Sequence, residues 1–379
     1  WSYAWYLWHW PAIGLVLLAD ERWDIGGNGP LLIGAAVVGS LALAAASHRL
    51  VENPIRHSAM LTARPVSSFA MGAALMVVPL AAGWTVVQLS KQETVVTAEQ
   101  PTLVLSPLDA RGDKPIAPSR CHLGYSHDQF SDNCVYGDPD GEFTIILTGD
   151  SHALSWFPAF RLLAEDRGWQ LHLWGKDACQ PISLDLWNGS SNQPYETCNT
   201  WRTQLLEHLS SLDDVNLIVV GRSMGYSRSI IGDDSLPIAD RAIASELWGE
   251  ATRSSFEYLA EMADSVVVLR DVPWFGEPNF VECVSLNLDN FAACARPLAG
   301  NAYRDTWMIE AELASGAAEY VEYVDVTPIV CPNDPCAAVS PDGIVTYRDK
   351  HHLTQSYSQA LAPEIATIVE GIDSAAAEG

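Results

Sequence analysis

The sequence predicts an α/β domain, with a mostly parallel five-stranded sheet between helices, preceded by transmembrane helices. Two patterns predict it. From about residue 142, short β-branched apolar runs alternate with helix-length stretches, which is how a parallel sheet covered on both faces reads. Before residue 90, three long and nearly uncharged apolar segments follow one another.

Those segments are 1–19, 31–50 and 67–89, each about long enough to cross a hydrocarbon core of ~30 Å as a helix. Tryptophans, Tyr3 and Tyr6 crowd the first, as at a membrane interface. Arg49 at the end of the second segment, with Arg56 and Arg64 beyond it, makes the link to the third basic, whereas the link at 20–30 holds Asp20, Glu21, Asp24 and one Arg22. The basic loop is expected in the cytoplasm, so the third span delivers the rest of the chain outside. Residues 1–66 read as the last transmembrane helices of a longer membrane protein, 67–89 as a linking span and 90–118 as a linker or extension. Residues 119–379 form the extracytoplasmic domain. The expected location is the cell membrane, multi-pass, with the lipid bilayer as a partner.

All eight cysteines fall after residue 120, as sequence neighbours. Local disulfides Cys121–Cys134, Cys179–Cys198, Cys283–Cys294 and Cys331–Cys336 are expected, in an oxidising compartment. Zinc competes, but there is no C-x-x-C pair, and the Pro-rich Cys331–Cys336 loop is a poor knuckle. The net charge of −26, from 47 acids against 21 bases, argues against a nucleic-acid partner.

Strands are expected at 143–148, 169–174, 215–220, 265–270 and 320–326. Helices are expected near 152–166, 200–211, 240–263, 302–316 and 355–371. In such sheets sites form at the carboxyl ends of strands. The turn Gly149-Asp150-Ser151-His152 sits there, with Ser151 at a helix N-terminus able to stabilise an oxyanion. Asp150 or Ser151 can equally well serve only as a cap. Near the far end, Asp349 stands three residues before His352, ahead of a helix that Thr354 caps. That spacing lets a carboxylate orient one imidazole nitrogen while the other faces Ser151, giving a Ser–His–Asp triad. His351 is expected to point elsewhere, and no metal is assigned. Trp274, and less firmly Tyr226, are the candidate substrate-binding aromatics, although such residues are more often core.

Gly149-Asp150-Ser151-His152, taken with Asp349-x-x-His352-Leu353-Thr354, resembles the SGNH/GDSL hydrolase superfamily in its branch fused to membrane acyltransferases. The segments SYAWYLWHWP (2–11) and VENPIR (51–56) resemble the closing transmembrane motifs of acyltransferase family three. The resemblance implies a two-part O-acyltransferase, most simply an O-acetyltransferase, acting on hydroxyls of a cell-envelope glycan, polysaccharide or glycolipid. It implies no cofactor in the external domain and acyl-CoA as donor for the full-length membrane protein. Ser151 would carry the acyl group, His352 would be base and then acid, and Asp349 would orient it. The superfamily's oxyanion-hole Asn is missing, because Gly221-Arg222-Ser223 follows the third strand. That leaves the Ser151 backbone, Gly175 and Arg222 as oxyanion candidates. A membrane-anchored esterase and a non-catalytic glycan-binding module are the competing readings.

Overall fold

The computed structural model describes residues 2–23, 29–58, 65–90, 100–232, 234–301 and 306–378. It divides into two compact units, Trp1–Val95 and Val96–Gly379.

The first unit is helical. Helix α1 (Ser2–Trp23) contacts α2 (Gly29–Ser47), and Trp5 Nε1 donates to Ser40 Oγ at 3.0 Å. The helical path continues through a π turn to Arg56, and α3 covers Pro65–Ser90. Among the described residues, Leu32–Arg56 is the one stretch long and apolar enough to cross a membrane, with a mean hydropathy of 1.4. Residues 2–19 and 67–89 lie within α1 and α3.

The second unit is an α/β domain around one seven-stranded sheet. Its main path runs β1 (His122–Leu123), β4 (Gln170–Lys176), β3 (Thr144–Gly149), β7 (Leu217–Gly221), β8 (Ser265–Leu269) and β9 (Glu322–Val324), every pairing parallel. A short strand, β2 (Val135–Gly137), adds antiparallel to β4. A two-stranded hairpin, β5 (Trp187–Asn188) and β6 (Gln193–Pro194), stands apart. The expectation of five strands is therefore corrected to seven, because β1 and β2 are too short to show any periodicity.

The central strands are buried on both faces, as continuous runs such as Ile145-Ile146-Leu147 require. Helices α4 (Ser151–Arg167), α5 (Glu196–Leu209), α6 (Arg241–Ala260) and α7 (Thr306–Ser315) fall close to their expected places. The helix expected at 355–371 is two, Gln355–Ala360 and α8 (Ala362–Glu378). Pro363 has no N–H to continue the first and suits the opening turn of the second.

Residues 100–118 belong to this unit. Val104 N donates to the Gly343 carbonyl at 2.9 Å, and Asp113 accepts from Ser356 N at 2.9 Å. The four cystines pair Cys121–Cys134, Cys179–Cys198, Cys283–Cys294 and Cys331–Cys336.

Candidate active site

Strand β3 ends at Gly149, whose φ of +134° and 1.9 Å approach of a notional Cβ to the Gly221 carbonyl exclude any side chain. Gly221 is equally constrained, since a Cβ there would meet Ala153 Cα at 2.6 Å. These two positions let the start of α4 settle against the sheet. Asp150 then caps α4, its Oδ1 accepting from His152 N at 2.8 Å. Its Oδ2 accepts from Ser223 N at 2.8 Å and from the Tyr226 hydroxyl at 2.6 Å. The carboxylate that caps the helix thus also ties the β3 turn to the β7 loop. Ser151 is the first helical residue, where backbone N–H groups lack intrahelical acceptors.

The loop before Gln355 brings the other groups. Asp349 Oδ1 accepts from the backbone N–H of His351 (3.0 Å) and His352 (2.8 Å), folding the tetrapeptide around its own carboxylate. His352 Nδ1 lies 2.8 Å from Asp349 Oδ2, and His352 Nε2 lies 2.8 Å from Ser151 Oγ. With the proton on Nδ1 donated to the carboxylate, Nε2 keeps its lone pair and accepts from the hydroxyl. Burial pushes the Asp349 carboxyl up. The His352 imidazole, the His351 N–H and Arg348 more than reverse this and hold it well below the usual carboxylate range. Burial holds His352 below its ordinary value, with the Asp349 bond opposing that and the nearby His152 adding to it.

A second carboxylate–imidazole arrangement lies alongside. His152 Nδ1 is 2.6 Å from Asp271 Oδ1, both side chains buried, and His152 Nε2 is 3.0 Å from His351 Nδ1. Asp271 Oδ2 also accepts from Met224 N (2.8 Å) and Trp274 Nε1 (2.7 Å). The ring nitrogens of His152, His351 and His352 include a set lying within 4.8 Å of one another, close enough for a metal ion. In the arrangement present, His152 Nε2 and His351 Nδ1 face each other at 3.0 Å, a proton on one pointing at the lone pair of the other. The ring centroids are 5.2 Å apart and the planes 13° from parallel, a hydrogen-bond geometry rather than two donors converging on an ion.

These groups open into a cavity of about 920 Å³ in the second unit, walled also by Trp187, Asn188, Tyr195 and Ala178. That size suits a sugar ring with an acyl group.

Two oxyanion candidates are corrected by their surroundings. The Arg222 guanidinium is buried and paired to Glu312 at 2.5 Å, so it points into the core. The Gly175 N–H is spent on the Cys121 carbonyl at 2.9 Å, pairing β4 with β1. Beside Ser151 N, the Ala178 N–H has no protein acceptor among the described residues, and Ala178 lines the cavity at a φ of +48°. A non-glycine residue held there is strained; nothing in its identity marked it beforehand.

Tyr226 and Trp274 both line the cavity. The Tyr226 hydroxyl is committed to Asp150, and burial followed by that carboxylate pushes it well above the usual phenol range. The Trp274 ring stacks on His351 at 3.9 Å and 14°, so that face is covered. His351 does not point away from the site, as expected, but into it. Asp271 escaped notice because nothing local ties a carboxylate after β8 to an imidazole 119 positions earlier in the sequence.

Residues 120–367 match the family described as the SGNH domain fused to AT3 domains. The chain belongs to this family. No curated protein matches it. Among solved structures it is similar to the periplasmic domain of a lipopolysaccharide acetyltransferase from Salmonella ser. Paratyphi A, at 17% identity. That match covers 61% of this chain and 84% of that one, with a TM-score of 0.44.

Proposed function

We propose that this SGNH domain is a serine-dependent O-acyltransferase, most simply an O-acetyltransferase, that acylates hydroxyls of a cell-envelope glycan or glycolipid. The hydrogen-bonded line Ser151–His352–Asp349 carries the reading. His352 Nε2 takes the Ser151 proton as Oγ attacks the acyl carbonyl carbon. The tetrahedral oxyanion is received by the N–H groups of Ser151 and Ala178. His352 then gives its proton to the leaving oxygen as that C–O bond breaks, leaving acyl-Ser151. In the second half-reaction His352 deprotonates the acceptor hydroxyl, whose oxygen attacks the acyl carbon. The proton returns to Ser151 as the ester to it breaks.

The residues before about 90 are proposed as the closing helices of an acyltransferase-three membrane domain, in line with the family's fusion to such domains and the apolar Leu32–Arg56 stretch. That domain would draw on cytoplasmic acyl-CoA. The four disulfides favour an extracytoplasmic second unit. The test is Ser151→Ala in the full chain: acyl transfer should fall at least about 10³-fold with folding intact, and retained turnover would remove the nucleophile. Hydrolysis by water in place of a sugar is the second reading, since the same triad serves it. Release of free acetate at a rate indifferent to added sugar supports that alternative.

A further inference from the structure

Two carboxylates, Asp150 and Asp271, are buried beside His152: Asp150 accepts from three donors, while Asp271 accepts two on Oδ2 and holds Oδ1 2.6 Å from His152 Nδ1. Arg222 is taken up by Glu312, and Arg348 lies beside Asp349. A buried charge needs a counter-charge, and among these groups His152 is the cation-forming one that touches Asp271. Charged, it holds protons on both nitrogens, one for Asp271 and one for His351 Nδ1. His351 must then be neutral with its proton on Nε2. That nitrogen has no protein partner among the described residues, and the ring borders the cavity beside Ser151. Stacking on Trp274 fixes the ring plane.

We propose that His351 is the acceptor-binding residue: its Nε2–H donates a hydrogen bond to an oxygen of a pyranoside acceptor, and the buried Asp271–His152 pair sets the direction of that bond. The inference rests on the transferase reading for its substrate, but the state of His351 stands on geometry alone. The charge states agree. Burial lowers His152, but Asp271 more than compensates and raises it; burial and then the charge of His152 bring His351 down to about 2. Asp271 and His152 are positioning residues, since neither needs to touch substrate.

Two measurements on the full chain test this. With ¹⁵N-labelled histidine, long-range ¹H–¹⁵N correlations should show His351 protonated on Nε2 and bare on Nδ1, and His152 protonated on both. A proton on His351 Nδ1 overturns the assignment whatever the enzyme does. The second uses p-nitrophenyl acetate as donor and a set of methyl pyranosides as acceptors. His351→Phe keeps the stacking and loses the donor; the KM for the best pyranoside should rise roughly tenfold, against less than about threefold in the nitrophenolate burst. His351→Gln, which restores an N–H, should recover most of the loss. Unchanged pyranoside KM in His351→Phe, or a wild type that bursts yet acylates no pyranoside, overturns the proposal. Absence of any burst in the wild type sinks the transferase reading instead, leaving the protonation measurement to decide this one.

Discussion

Among the described residues of the domain, Arg222 and Glu312 form the most enclosed ion pair, with side chains 1% and 0% exposed. Glu312 also accepts from Trp248 Nε1 at 2.7 Å and from the Tyr323 hydroxyl at 2.8 Å. Glu312→Gln strips the charge and leaves a guanidinium among the Trp248 and Phe256 rings. Breaking a buried pair from one side costs about 3–5 kcal/mol. Taking about 4 kcal/mol and a urea slope of about 2 kcal/mol/M, the midpoint should drop by about 2 M. Replacing both partners with apolar residues, Arg222→Met with Glu312→Leu, leaves no orphaned charge but strips Trp248 Nε1 and the Tyr323 hydroxyl of their acceptor, at about 1–3 kcal/mol each, so the double variant should fold without recovering full wild-type stability. The assay is urea unfolding of the full chain in detergent, followed by near-ultraviolet circular dichroism. The folded double variant should keep acyl transfer, whereas an oxyanion donor would be missed by about 10²–10³-fold. A single variant losing less than about 1 kcal/mol, or a folded double variant losing a hundredfold in turnover, refutes the structural role given to Arg222.

The remaining predictions concern the site and its frame. Catalysis needs neutral His352, and its proton affinity is held below the ordinary 6.5; the acidic limb of kcat/KM should therefore fall below that pH, and a limb above it contradicts the assignment. Asp349→Asn should cut kcat by roughly 10³–10⁴-fold with little change in thermal midpoint, because the wrong imidazole nitrogen then carries the proton. His152 binds its proton more tightly folded than unfolded, so its contribution to stability is complete below 6.5 and lost as pH rises through its raised value; Asp271→Asn should flatten that decline in a melting series. Replacing Cys179 and Cys198 by Ala opens the link between the β4 exit and α5, a separation of 19 residues. It should cost roughly 2–4 kcal/mol by denaturant titration.

What could be read in the sequence follows the range of each signal. Periodicity and β-branching act over five to twenty residues, so the central strands and α4 to α7 were legible, while the two-residue β1 was not. The Ser151, His352 and Asp349 positions were readable because each sits in a short motif with its own local logic, a strand-to-helix turn and a three-residue spacing. Arg222 was misread because one residue after a strand says where a side chain starts, not that Glu312, 90 positions on, draws it into the core. Gly175 failed for a related reason: the Cys121 carbonyl that takes its N–H lies more than 50 residues earlier, just ahead of an edge strand only two residues long. The Asp271–His152–His351 line is built wholly from long-range contacts. Sequence spacing carries no trace of it.

The central claim is that Ser151 takes up the acyl group with His352 as its base. Brief exposure of the full chain to p-nitrophenyl acetate, acid quench and peptide mass spectrometry tests it most directly. Acetyl should appear on the peptide bearing Ser151, vanish in Ser151→Ala and be much reduced in His352→Ala. Acetyl on another residue, or none on Ser151 while the ester is still consumed, would contradict the account.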